Sequence, residues 1–275
     1  SCKLMSLVSA TLRHRRWLIA YENGAVKEAI AAYDVKVTPI ITRLQRFQDR
    51  IDGGRPLTAR QRAQAGRDRA RLQRLIRSAR DDVRDSLQTR LQDVAQIEAR
   101  VSVRNLSAGL PKGTTARAPA VDLRTLTMNP TAGRTWPRRV DASMIPTFEK
   151  IDAALAISID QGASMPRAAE LVQLAIGAPD SQRKAIRRLV RTEIQRVANE
   201  AAQATYRENR DVIHSVRYLA TLDGACDLCR PFNNDVFPLD ESGLHAGPRI
   251  PQHPNCRCFY APVTRSIAEI IAGAA

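Results

Sequence analysis

The chain has 275 residues, a net charge of +15 and an aromatic content of only 4%. A buried core is within reach at this length, and scarce aromatics beside abundant Ala, Leu, Arg and Gln exclude a strand sandwich in favour of packed helices. The charge says little about fold, but it narrows the partners to nucleic acid, an anionic surface or an acidic protein.

No run of about 18 apolar residues is present, so no membrane span is expected. The opening "SCKLMSLVSATLRHRRWLIAY" is too broken by charge for an export signal, which places the cysteines in a reducing compartment and favours metal or catalysis over disulfides.

Residues 4–52 predict one long helix. Apolar residues recur at steps of three, four and seven, from Leu4, Leu7 and Val8 to Ile40, Ile41 and Leu44, with Pro39 as a kink or split. "DGGRP" at 52–56 is a turn. A second helix is expected over 58–103, where Leu72, Ile76, Val83, Leu87, Leu91, Val94, Ile97 and Val101 make a seam. Together they predict an elongated antiparallel hairpin with arms of roughly 65–70 Å. Residues 105–139 break every period, so 105–144 is expected to be a linker or extended arm. Helices resume over about 145–176, "GAPD" at 177–180 stops them, and another helix starts at Asp180 or Ser181. "HSVRYLAT" at 214–221 has strand character.

Arginines crowd residues 43–90, with Arg67, Arg71, Arg74 and Arg77 the candidates for binding nucleic acid or an acidic partner. For any one of them a solvated helix face with intrahelical ion pairs is the plainer reading. No aromatics are interleaved, so DNA contact would run through backbone phosphates and depend steeply on salt.

The tail carries the chemistry. Cys226 and Cys229 stand with two residues between them in "GACDLCR", His253 and Cys256 repeat that spacing in "PQHPNCRCFY", and Cys258 is a fifth candidate. Two tight pairs around a polar loop suit a four-ligand structural zinc site, with the fourth ligand left open among the five. Reduced thiols packed as small hydrophobes are the plainer alternative. A thioredoxin-type redox pair lacks its βαβ surround, and a Cys–His nucleophile lacks an orienting group. Cys2 reads as a bystander, His245 as a spare ligand, and His14 and His214 as solvated or satisfied.

"TLDGACDLCRPFNNDVFPLDE" followed by "PRIPQHPNCRCFYAPV" resembles the C-terminal signature of the phage Mu F-like minor head, or head-morphogenesis, family of tailed bacteriophages. The helix "VRTEIQRVANEAAQATY" before it resembles the family too, so the match spans about 180–263. It departs at "NND", 233–235, where the usual "DG" would stand. The resemblance implies a minor head protein, not an enzyme, made alongside portal and capsid proteins. It would sit in the virion head interior or head–neck region after assembly in the host cytoplasm, with zinc as a staple and double-stranded DNA as a further partner. The expected fold is mainly α: a basic hairpin (1–104), the linker (105–144) and a small α+β domain with the Cys/His clip (145–275). Two competitors are a zinc-stapled DNA-binding protein outside the virion, which lacks a helix-turn-helix signal, and a toxin- or nuclease-type enzyme. For the latter, Glu193 in "RTEIQ" is the most tempting carboxylate.

Overall fold

A computed structural model describes residues 2–130, 133–160, 165–220 and 225–272. The fold is mainly α. Helix α1 spans Cys2–Asp52, α2 Ala59–Gly109, α3 Leu123–Thr127, α4 Trp136–Ile159 and α5 Met165–Glu208. Strands β1 (Ile213–Leu219), β2 (Val236–Pro238) and β3 (Phe259–Thr264) follow, then α6 (Ile267–Ala272). Among the described residues no helix is long and apolar enough to cross a membrane.

The chain forms two compact units. The first comprises Ser1–Gly24, Gln88–Asn129 and Arg191–Ala275, the second Ala25–Leu87 and Pro130–Val190. Helices α1, α2 and α5 each contribute residues to both.

The expected hairpin is present, with its turn at 53–58. In the first unit His14 Nε2 lies 2.7 Å from Glu98 and the Tyr21 hydroxyl donates to Asp93 at 3.4 Å. In the second, Lys36 meets Asp82 at 3.5 Å and Arg43 pairs with Asp68. As one number rises the other falls, so α1 and α2 run antiparallel in each unit. Pro39 sits inside α1 without splitting it.

Three local expectations are corrected. Helix α5 runs unbroken through Gly177 and Pro179, where a stop was expected. Proline costs a helix about 3 kcal/mol locally. Around it, Val172, Ala175, Ala178 and Ile186 are buried, and burial of an apolar stripe outweighs that local cost. The boundary falls instead near Asp160, which ends α4. Within the expected linker, α3 forms with Asp122 as N-cap, its Oδ1 accepting from the Arg124 amide at 2.9 Å. Helix α4 begins at Trp136, not 145, because Pro137 in the first turn is preset for helix and lacks only an amide that would be unbonded there.

The second unit is a helical core in which Tyr33, Leu44, Leu72, Val83, Phe148 and Ile151 are buried. The Tyr33 and Phe148 rings lie 6.4 Å apart. At its rim Arg183 donates to Asp34 at 2.9 Å, and Arg69 to Asp152 at 3.0 Å.

The first unit carries the sheet, ordered β2-β1-β3 and antiparallel throughout. Tyr218 on β1 pairs with Tyr260 on β3, and Leu219 with Phe259. One side packs with Leu106, Ala202 and Tyr206 into a core that also takes in Cys229, Cys256 and Cys258. Leu219, Phe259 and Ala261 form a second cluster, on which Val8 and Leu12 of α1 pack. Asn209 fixes residue 117, accepting from the Arg117 amide at 2.7 Å and donating to its carbonyl at 2.9 Å.

Candidate metal centre

Two short turns build the site, both in the first unit. After β1 the chain turns at 226–229, with the Cys229 and Arg230 amides both donating to the Cys226 carbonyl, at 3.0 and 2.9 Å. This puts the two thiols on one side of a single turn. The second turn is closed by the Cys256 amide donating to the His253 carbonyl at 3.1 Å. Asn255 takes φ 63° there, a left-handed conformation asparagine tolerates better than most residues. Between the turns, "NND" adopts the reversal that glycine would ordinarily supply: Asn234 has φ 73°, and Asn233 Oδ1 accepts from the Ala220 amide at 3.0 Å.

The two turns face each other. His253 Nε2 lies 3.1 Å from Cys226 Sγ and 3.3 Å from Cys229 Sγ, and Cys229 Sγ lies 3.9 Å from Cys256 Sγ. The donors form two triads sharing one atom: Cys226, Cys229 and His253; and Cys229, Cys256 and Cys258. Tetrahedral zinc with thiolate and imidazole ligands has donor–donor edges of roughly 3.5–3.8 Å, and the observed separations fall around that range. All five residues singled out in the sequence are thus brought together, and this cluster can hold a metal ion.

Polarity grades across the site. Cys226 is exposed, while Cys229, Cys256 and Cys258 are about 1% exposed. The Cys258 thiol, hydrogen-bonded to Cys256, pulls the Cys256 pKa down to about 5, and Cys258 is driven upward in return. Burial pushes Cys229 up to about 11. Burial also works to lower His253, but the Pro254 carbonyl, at 2.9 Å from Nδ1, and the nearby thiolates raise it on balance. A site of this kind binds metal in competition with protons.

Helix α5 supports the second turn through residues not foreseen. The Thr192 hydroxyl accepts from the Asn255 amide at 3.1 Å, while Gln195 and Asn199 donate to the Cys258 carbonyl at 2.8 and 3.3 Å. These three stand at i, i+3 and i+7 on one helix face, a polar stripe that was the available signal. Such outer contacts orient ligand-bearing backbone. Gln252 donates to the Tyr218 hydroxyl at 2.9 Å. Glu193, the candidate carboxylate, is fully buried and accepts from Arg196 at 3.0 Å. His14 is satisfied by Glu98. His245 packs against Tyr260, the rings tilted with centroids 4.3 Å apart, and lies outside both triads. The Cys2 side chain lies outside the described residues.

The arginines of the basic hairpin lie elsewhere, in the second unit. Arg67, Arg71, Arg74 and Arg77 are all exposed. Arg67 donates to Gln64 at 2.6 Å; Arg71, Arg74 and Arg77 have no carboxylate partner among the described residues.

Residues 149–261 match the family described as phage Mu protein F like protein. That stretch includes the C-terminal part of α4, all of α5, the sheet up to Ala261 and every cysteine and histidine of the site. No curated protein and no solved structure matches the chain.

Proposed function

We propose, from the Mu F-like segment at residues 149–261, that this protein is a structural head-morphogenesis protein of a tailed phage or phage-like particle. In this reading it works beside the portal and capsid proteins, in the head interior or head–neck region, and is not an enzyme. The observation that carries the chemical part is the convergence of four thiols and one imidazole from two turns. A single zinc held by Cys226, Cys229, His253 and Cys256 would tie the loop after β1 to the strand that closes the sheet. Four protein ligands leave no open position for an activated water, which makes the ion a staple.

The exposed arginines supply a contact surface. Arg60, Arg67, Arg71 and Arg74 follow steps of seven, four and three along α2, one face about 21 Å long. In this reading they meet DNA phosphates, with no sequence preference and an affinity falling steeply with salt.

Elemental analysis of protein purified without chelator, with portal co-purification from particles, tests both parts. About one zinc per chain and co-migration with a portal ring support the proposal. Metal-free protein overturns the staple, and a turnover activity with no particle association overturns the structural role.

A further inference from the structure

The first unit carries a second feature, remote in character from the cysteines. A groove of about 630 Å³ runs between α2 and the segment 118–124. Its floor is apolar, built from Ala99, Val103, Pro119 and Val121, the last 45% exposed. Arg100, Arg104 and Arg124 surround it, all exposed. The guanidiniums of Arg104 and Arg124 meet no carboxylate among the described residues, and Arg100 reaches only its own helix, at the Gln96 carbonyl. The one acidic residue in the lining, Asp122, is engaged as the cap of α3.

A second hollow of about 370 Å³ adjoins the first and shares Arg104 with it. It is walled by Ile97, Val101 and Trp17, which is 41% exposed and stacked on His14 with centroids 5.3 Å apart. Arg13 at its edge also lacks a carboxylate partner among the described residues. Two apolar-floored hollows therefore flank one arginine and are rimmed by others.

We infer that this face docks an extended acidic segment of another protein, with apolar side chains seated in the hollows and carboxylates on the arginines between them. Charge complementarity decides the sign of the occupant, because the rim is cationic and unneutralised. The apolar floor decides its class. A phosphate backbone has nothing to place against Val103 and Val121, whereas a peptide alternating acidic and apolar residues satisfies both. The fork of arginine suits carboxylates in bidentate pairs. The inference does not depend on the metal.

The test uses the full chain and a fluorescein-labelled peptide of about ten residues alternating Glu and Leu, followed by anisotropy. A polyglutamate of equal length and a short duplex DNA serve as comparisons. The alternating peptide should bind more tightly than polyglutamate. Arg104→Glu combined with Arg124→Glu should weaken it at least tenfold, about what one lost charge-assisted pair confers. Val121→Asp should weaken it several-fold, and Arg71→Glu with Arg74→Glu should leave it unchanged. All these positions are exposed, and thermal melts confirm that each variant folds. Equal binding of polyglutamate, or an equal loss in the Arg71/Arg74 variant, reduces the effect to general charge and overturns the inference. Displacement of the peptide by duplex DNA, with the same variants losing DNA, reassigns the face to nucleic acid.

Discussion

The Glu22 carboxylate of α1 lies 3.6 Å from the guanidinium of Arg257, the residue between Cys256 and Cys258. Glu22 is fully buried and neither of its oxygens accepts a hydrogen bond. Burial raises its pKa from 4.5 to about 7, against the opposing pull of Arg257, Arg191 and Arg15. The folded state therefore holds this proton more tightly than the unfolded state. The contribution is fully present below pH 4.5 and is lost as pH rises through 7, on the order of 3 kcal/mol in all. Glu22→Gln removes the titration. Melting at pH 5 and pH 8 should show the wild type losing more stability than the variant, with the variant the more stable at pH 8. Parallel losses in both proteins would assign the pH dependence elsewhere.

Cys229 belongs to both donor triads, so Cys229→Ser should abolish metal binding outright. Cys256→Ser should lose the metal too, because Cys256 Sγ stands 3.9 Å from Cys229 Sγ, just beyond a tetrahedral edge length. Cys258→Ser should keep it. Metal-to-protein ratios from elemental analysis decide, and a reversal between the last two variants would make Cys258 the fourth ligand.

Arg196 has no exposed side-chain surface and donates to Glu193, to Glu200 and to the carbonyls of Leu126 and Thr127. Arg196→Ala leaves a buried carboxylate and two carbonyls without this partner. The cost should be about 3–5 kcal/mol in urea unfolding, and Arg196→Lys should not restore it because a single ammonium cannot span the fork. A loss below about 1 kcal/mol would mean that water replaces these bonds.

The N-terminal turns of α1 cover β3. Leu12 and Val8 pack on Phe259, and the Arg15 guanidinium lies 4.9 Å from the centre of its ring. Removing residues 1–24 uncovers this neighbour of Cys258 and should lower the melting temperature and speed metal release to a chelator. Unchanged release kinetics would show that the tail stands without that helix.

The hairpin and the cysteine cluster were legible because each is written locally, as a helical period and as paired ligands at fixed spacing. What escaped the sequence was decided by tertiary burial. Glu22 falls on the buried stripe of Leu18, Ala25, Ala29 and Tyr33, yet a glutamate in a basic helix reads as solvated until its neighbours are known. Thr192, Gln195 and Asn199 reach backbone about 60 residues away, and no short-range rule anticipates that distance. Pro179 misled in the opposite direction, since a strong local breaker was outvoted by apolar contacts on either side.

The two turns of the clip bring together Cys229 and Cys256, 27 residues apart in sequence. A metal ion joining them would be a reversible crosslink. By analogy with a disulfide closing a loop of that length, it would remove roughly 3–4 kcal/mol of entropy from the unfolded chain. A disulfide makes that constraint permanent under oxidising conditions. A metal-held constraint would instead follow free metal concentration, and the lifetime of the folded tail against proteases would then become a function of metal supply at the moment the chain is made.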